Sequence, residues 1–229
     1  MQPHRETPPL PERGVLLLAG PSGSGKGTVA SRLLEDGMVG EHVSMGDLLR
    51  SLLADCRGDD AVRARAEAAL GGDLPPEAAG LTRVQWLERC LHGGLLVPDA
   101  WTEAVISLQL ERSPALRAGR WLLDGYPRRV RAAEHLLDTL ASLGIPVWRV
   151  VHLRLGEERV AERLLARGRA DDTPRAIVKR YRFYREQVLP TMAYLAQRLG
   201  PGMVLDVDAA GAPAEVYGAV LDGLGTSWA

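Results

Sequence analysis

A continuous apolar run, Val15-Leu16-Leu17-Leu18-Ala19, ends at Gly20-Pro21-Ser22-Gly23-Ser24-Gly25-Lys26-Gly27-Thr28. A helical apolar pattern (Val29, Leu33, Leu34) follows at once. Such a run suits a strand buried on both faces, as in a parallel sheet. Glycines at 20, 23, 25 and 27 let the chain curl until successive backbone N–H groups face an anion. The next helix adds the partial positive charge of its N-terminus. Lys26 supplies a full charge able to reach the β- and γ-phosphates of ATP, and the Thr28 hydroxyl lies close to phosphate and metal. Gly20, Ser22, Gly23, Ser24, Gly25, Lys26, Gly27 and Thr28 are therefore the candidate ATP-binding residues. A lone glycine-rich loop is weak, because many are only turns; here strand, glycines, lysine and helix agree. The standard cradle has Ser or Thr directly after the lysine, whereas this chain has Gly27 there and Thr28 one place later.

Further apolar runs at Trp121 to Leu123, Val147 to Leu155 and Met203 to Val207 are separated by helix-length stretches, among them Val130 to Leu143 and Glu157 to Leu165. Strands alternating with helices predict an α/β fold whose parallel sheet is flanked by helices. The longest helical stretch, Pro174 to Leu199, carries Ile177, Tyr181, Tyr184 and Val188 on one face, and Pro190 is expected to kink or break it. Residues 51–95 do not fit the alternation: Ala-rich helical segments are broken by Gly71-Gly72 and Pro75-Pro76, with no strand. They read as a helical insertion covering the substrate, or as an inert decoration, within a core of 14–50 and 96–229. The proline-rich residues 1–13 suit neither helix nor central strand and are expected to form a disordered tail.

The 229 residues fit one domain, or one domain with a sizeable insertion. Lys+Arg (28) and Asp+Glu (29) nearly cancel, which argues against a nucleic-acid partner. Cys56 and Cys90 imply no disulfide framework; they read as small buried residues in a reducing cytoplasm. The start has neither a signal-peptide nor a transit pattern, and Val15 to Ala19 is too short to cross a bilayer, so a soluble monomer with no membrane partner is expected. The five histidines lack ligand spacing and read as structural.

The Gly-Lys-Gly-Thr variant of the loop resembles the adenylate kinase family of nucleoside monophosphate kinases. Three later segments are similar to that family in order and kind: His42-Val43-Ser44-Met45-Gly46-Asp47-Leu48-Leu49-Arg50, Gly94-Leu95-Leu96-Val97-Pro98-Asp99, and Leu122-Leu123-Asp124-Gly125-Tyr126-Pro127-Arg128. A fourth, Glu158 to Arg169 with Asp171-Asp172 and Arg180, resembles the family's helix, lid and returning helix, the lid (about 167–173) being very short. The final Met203 to Asp208 with Ala214-Glu215-Val216 looks like its last strand and helix.

The resemblance implies a P-loop kinase core and roles for single residues. Arg50 and Arg128 would clamp the acceptor phosphate, since planar guanidinium groups grip two oxygens at once. Arg169 and Arg180 would close over the transferring group, and Arg167 would pack near the donor nucleotide. Asp124, ending a buried strand, would orient Mg²⁺ through water, with Thr28 nearby. Lys26, Asp124, Arg128, Arg169 and Arg180 are thus the catalytic candidates, and Ser44, Met45, Arg50, Val97, Gly125, Arg128 and Ala132 the acceptor-binding ones. Asp47 is a candidate helix cap, and Arg129 and Arg131 read as solvated surface charges.

Two positions depart from the family. Met45 stands where a hydroxyl contacts the acceptor base, and Ala132 where adenylate kinases carry Gln and pyrimidine kinases Asn. Losing both polar readers lowers base discrimination and predicts that AMP is a poor substrate beside the true acceptor. The expected activity is transfer of the γ-phosphoryl group of ATP to a small anionic acceptor, first a nucleoside monophosphate. A non-nucleotide phosphate or phosphonate, a hydroxyl metabolite, or a silent nucleotide-binding module are the alternatives.

Overall fold

The computed structural model describes residues 11–93, 95–169 and 172–225. The expected tail falls mostly in residues 1–10, outside that range, as do Gly94 and Asp171. Strand β1 (Gly14–Ala19) leads into helix α1 (Lys26–Glu35), then β2 (Glu41–Ser44) and α2 (Met45–Gly58). Helices α3 (Asp60–Ala69), α4 (Arg83–Gly93), α5 (Asp99–Arg112) and α6 (Pro114–Ala118) precede β3 (Arg120–Asp124). Helix α7 (Val130–Ser142), β4 (Val147–Arg154) and α8 (Glu157–Arg167) come next. Helices α9 (Pro174–Phe183) and α10 (Leu189–Leu199), β5 (Val204–Asp208) and α11 (Pro213–Leu224) complete the described chain.

All strand pairs are parallel, in the order β2-β3-β1-β4-β5. The sheet is therefore the one expected from the alternating runs, with the most apolar run, β1, at its centre. Side chains alternate across it. Leu17, Leu123 and Val150 join a core with Leu49, Leu87, Trp101, Ile106, Leu136 and Leu195. Leu16, Leu18, Leu122, Val151 and Leu153 join another with Val29, Leu33, Leu164, Val216 and Val220. Register sets Leu18 beside Asp124 on one neighbour and Ala19 beside His152 on the other. The carboxyl ends of β1, β3 and β4 thus meet at one edge of the sheet, where ligands of open α/β folds bind.

Strand β2 lacks an apolar run because it lies at the sheet edge with only Val43 buried. Its end caps α2: Ser44 Oγ accepts the Asp47 N–H at 3.3 Å. The cap is therefore Ser44, and Asp47 sits in the first turn, where a carboxylate opposes the helix dipole. Among the described residues, 51–95 contain helix and no strand, and a small separate cluster of Leu53, Cys56, Ala66 and Val84 joins α2, α3 and α4.

The interruption expected at Pro190 takes the form of a π turn, Tyr184–Val188, between α9 and α10. Proline has no N–H to give to the carbonyl four residues back, and a wider turn accommodates the missing bond. The buried Thr191 hydroxyl donates to Gln187 O at 2.7 Å, satisfying a carbonyl within that turn. Ile177, Tyr184 and Val188 are buried and Tyr181 half-buried, as their spacing predicts. No helix among the described residues is long and apolar enough to cross a membrane.

Candidate active site

The loop after β1 closes tightly. At Gly20 (φ +148°) a Cβ would lie 2.6 Å from Leu153 O and 2.9 Å from Ser24 Oγ, so only glycine fits. Gly25, with φ 93°, is the N-cap of α1 and aims that helix's first N–H groups at the loop. Lys26 folds back over the loop and donates from Nζ to Gly20 O at 3.0 Å and Pro21 O at 2.9 Å. Burial lowers its pKa to about 8, Asp124 opposing the shift and Arg128 and Arg167 reinforcing it. Those named charges therefore lie around one point above the loop. Gly27 and Thr28 are exposed, whereas Ser24 is buried. From α8, Arg163 Nη1 donates to Gly23 O at 3.4 Å, a brace on the loop that no motif announced.

Asp124 ends β3, and its Oδ1 is buried without a hydrogen-bond partner. A buried, unpaired carboxylate oxygen beside a lysine suits a hydrated divalent cation, and the exposed Thr28 hydroxyl offers a second oxygen of the kind Mg²⁺ takes. Among the described residues no group of three or more His, Cys, Asp or Glu side chains forms an all-protein metal cage.

On the other side of Asp124, Gly125 has φ 78°, and Arg128 Nε donates to its carbonyl at 2.8 Å. Arg50 pairs with Asp47 on the exposed first turn of α2. Met45 and Ala132 are 3% and 1% exposed, so the base-reading positions of the resemblance are packed in the core, and Val97 is half-buried against it. The Tyr126 hydroxyl donates to Ala132 O at 3.0 Å. Arg129 is not a solvated charge: it pairs with Asp99 at 3.0 Å and lies over the Phe183 ring. Arg131 is 80% exposed, as expected.

The lid arginines are organised by Asp172, a residue of the lid motif to which the sequence assigned no role. Asp172, with 1% of its side chain exposed, accepts from Arg167 Nε at 2.9 Å, Arg167 Nη2 at 2.8 Å and Arg180 Nη1 at 2.9 Å. Burial alone would raise this carboxyl's pKa; the two guanidinium groups more than reverse that and hold it below its ordinary value. Arg169 is exposed, and its carbonyl accepts the Asp172 N–H at 2.9 Å. Both cysteines are free and buried.

A central parallel strand that empties into a glycine cradle, with the next strand's carboxylate beside the cradle lysine, is the arrangement of the P-loop phosphotransferases. The family model for adenylate kinase matches residues 78–199. The chain is 40% identical to an adenylate kinase of Synechococcus sp. (strain WH7803) over 196 residues, covering 86% of this chain and 90% of the relative. It is 33% identical to one from Mycobacterium sp. (strain MCS) over 210 residues, covering 92% and 98%. The chain belongs to the adenylate kinase family and is an ATP-dependent phosphotransferase.

Proposed function

We propose that this chain moves the γ-phosphoryl group of ATP onto a nucleoside monophosphate and reads the acceptor base loosely. The observation that carries the reading is the gathering of Lys26, Asp124, Arg128 and Arg167 at the cradle, with Arg180 tied to Arg167 through Asp172. Transfer between two phosphates needs little acid–base chemistry, because the attacking oxygen is already ionised. An acceptor phosphate oxygen bonds to the γ-phosphorus, the bond to the β–γ bridging oxygen breaks, and ADP leaves with that electron pair. The obstacle is mutual repulsion of two polyanions, so fixed positive charge and alignment supply the catalysis.

In this reading the cradle from Gly20 to Thr28 holds the donor phosphates and Lys26 bridges the outer two. Arg167 lies along the donor, Arg50 and Arg128 fix the acceptor phosphate, and Arg169 and Arg180 neutralise the group in flight. Mg²⁺, held through water by Asp124 and beside Thr28, would offset the charge of the β- and γ-phosphates. Helices from 51–95 cover the acceptor, and 14–50 with 96–229 form the core. Free, buried Cys56 and Cys90 fit a reducing cytoplasmic setting.

The relatives are named adenylate kinases, which favours AMP among the acceptors and weighs against the expectation, drawn from Met45 and Ala132 alone, that AMP is a poor one. Met45 and Ala132 bring no polar group to the base, and each buried hydrogen bond so lost is worth about 0.5–1.5 kcal/mol. AMP's lead over CMP, UMP and GMP should therefore be smaller by about two orders of magnitude than in an enzyme with both readers. The test is the pair Met45→Thr with Ala132→Gln: kcat/KM for AMP should rise relative to the other monophosphates. An unchanged ratio in a folded double variant contradicts loose reading at these positions.

A further inference from the structure

His152 reads in the sequence as a lone histidine in an apolar strand, and the proposed transfer mechanism makes no use of it. In the structure it stands on β4 between Ala19 of β1, the residue before the cradle, and Asp206 of β5. It is 2% exposed, and both ring nitrogens are partnered. Nδ1 lies 2.6 Å from Asp206 Oδ1, and Nε2 lies 2.8 Å from the Tyr184 hydroxyl. An ionised carboxylate can only accept, so Nδ1 carries the proton and donates to Asp206. Nε2 is then the acceptor, and the Tyr184 O–H donates to it. Burial lowers the histidine's pKa, Asp206 opposing the shift and Arg154 and Lys26 adding to it, which favours this neutral form.

The chain of bonds ends on the helix that carries Arg180. Tyr184 lies one turn beyond Arg180, on the same helical face, and it opens the π turn. The Tyr181 hydroxyl donates to Leu155 O at 3.3 Å. Two neighbouring tyrosines thus pin this helix to the end of β4, next to the strand that feeds the cradle. A π turn is a place where helix register can shift, so a fixed hydrogen bond at its first residue sets where the preceding turn points.

We propose that Asp206, His152 and Tyr184 are positioning residues, a hydrogen-bonded strut that holds Arg180 in register with the phosphate cradle during transfer. The inference rests on the role given to Arg180 above. It has a physical motive: displacement of a catalytic group by about 1 Å costs on the order of 10²-fold in rate. A strut that only stabilised the fold would change melting temperature and leave the chemical step alone.

The test is a double-mutant cycle read by steady-state kinetics with ATP and AMP. Tyr184→Phe removes the hydroxyl with little change in volume. Asp206→Ala removes the acceptor at the other end, at a side chain 56% exposed, where folding is tolerant. Each variant should lower kcat about tenfold with both KM values within about twofold, since an interaction made only in the transition state is lost. In an Arg180→Lys background the same changes should cost no more than about twofold further, because residues acting through one group are not additive. Effects that multiply in full in that background, or that appear in melting temperature with kcat intact, overturn the strut. Wild-type kcat in Arg180→Lys alone removes Arg180 from transfer, a separate failure of the underlying reading that takes the inference with it.

Discussion

Replacing Asp172 with Asn should loosen Arg167 and remove one partner of Arg180 at a predictable cost. The carboxylate has 1% of its side chain exposed and accepts three charge-assisted bonds from Arg167 and Arg180. Breaking a buried pair costs about 3–5 kcal/mol when a charge is stranded. Arg167 is 34% exposed and can rehydrate, and asparagine keeps one acceptor oxygen, so the cost falls below that range, to about 2–3 kcal/mol. For a chain of this size each kcal/mol moves the melting temperature by about 2–4 °C, giving a fall of about 4–12 °C. The pH dependence has a definite sign. Arg167 and Arg180 hold the Asp172 carboxyl below its unfolded value of 3.8, so its stabilisation is complete above that pH and is lost as pH falls further. Calorimetric melts of wild type and Asp172→Asn should differ at pH 7 and converge below pH 3.8. Equal melting temperatures at pH 7, or a difference that persists into acid, would show that the Asp172 carboxylate does not stabilise the fold through Arg167 and Arg180.

Lys26→Ala should abolish transfer and leave the fold intact, because its ammonium bonds loop carbonyls rather than core; near-normal turnover would remove the cradle from the mechanism. In the free enzyme Lys26 has a pKa lowered to about 8 by burial, so its charge is present below that pH and lost above it. ATP affinity measured by titration calorimetry should then fall by up to about tenfold per unit above pH 8, and a flat profile contradicts the assignment. Arg50→Ala and Arg128→Ala should cripple turnover yet hardly change ATP affinity; lost ATP binding would show that donor and acceptor halves are divided wrongly.

What was legible in the sequence is what local pattern dictates. The run Val15 to Ala19 could only be a doubly covered strand, and the glycines after it only a tight turn, so sheet, cradle and Lys26 follow from neighbours in the chain. Strand β2 had no such signal, because an edge strand buries little; only the resemblance of His42 to Arg50 marked it. Contacts across the fold were illegible for another reason. Asp206 and Tyr184 are 54 and 32 residues from His152, so nothing nearby distinguishes that histidine from a core filler. Arg129 looked solvated until Asp99 and the Phe183 ring were brought to it. Pro190 announced a break in the long helix, but the π turn depends on the backbone register that packing imposes. The identities of Met45 and Ala132 were plain from the motifs, while their near-complete burial required the packed core.

The most direct measurement is ATP turnover by the purified chain with Mg²⁺ and an acceptor panel of AMP, CMP, UMP, GMP, dTMP, sugar phosphates and phosphonates. ADP should form with transfer to nucleoside monophosphates, AMP among them, with kcat/KM values for the several bases lying close together. Transfer confined to a non-nucleotide acceptor, or no acceptor-dependent ADP at all from a chain that binds ATP, would contradict the proposed activity.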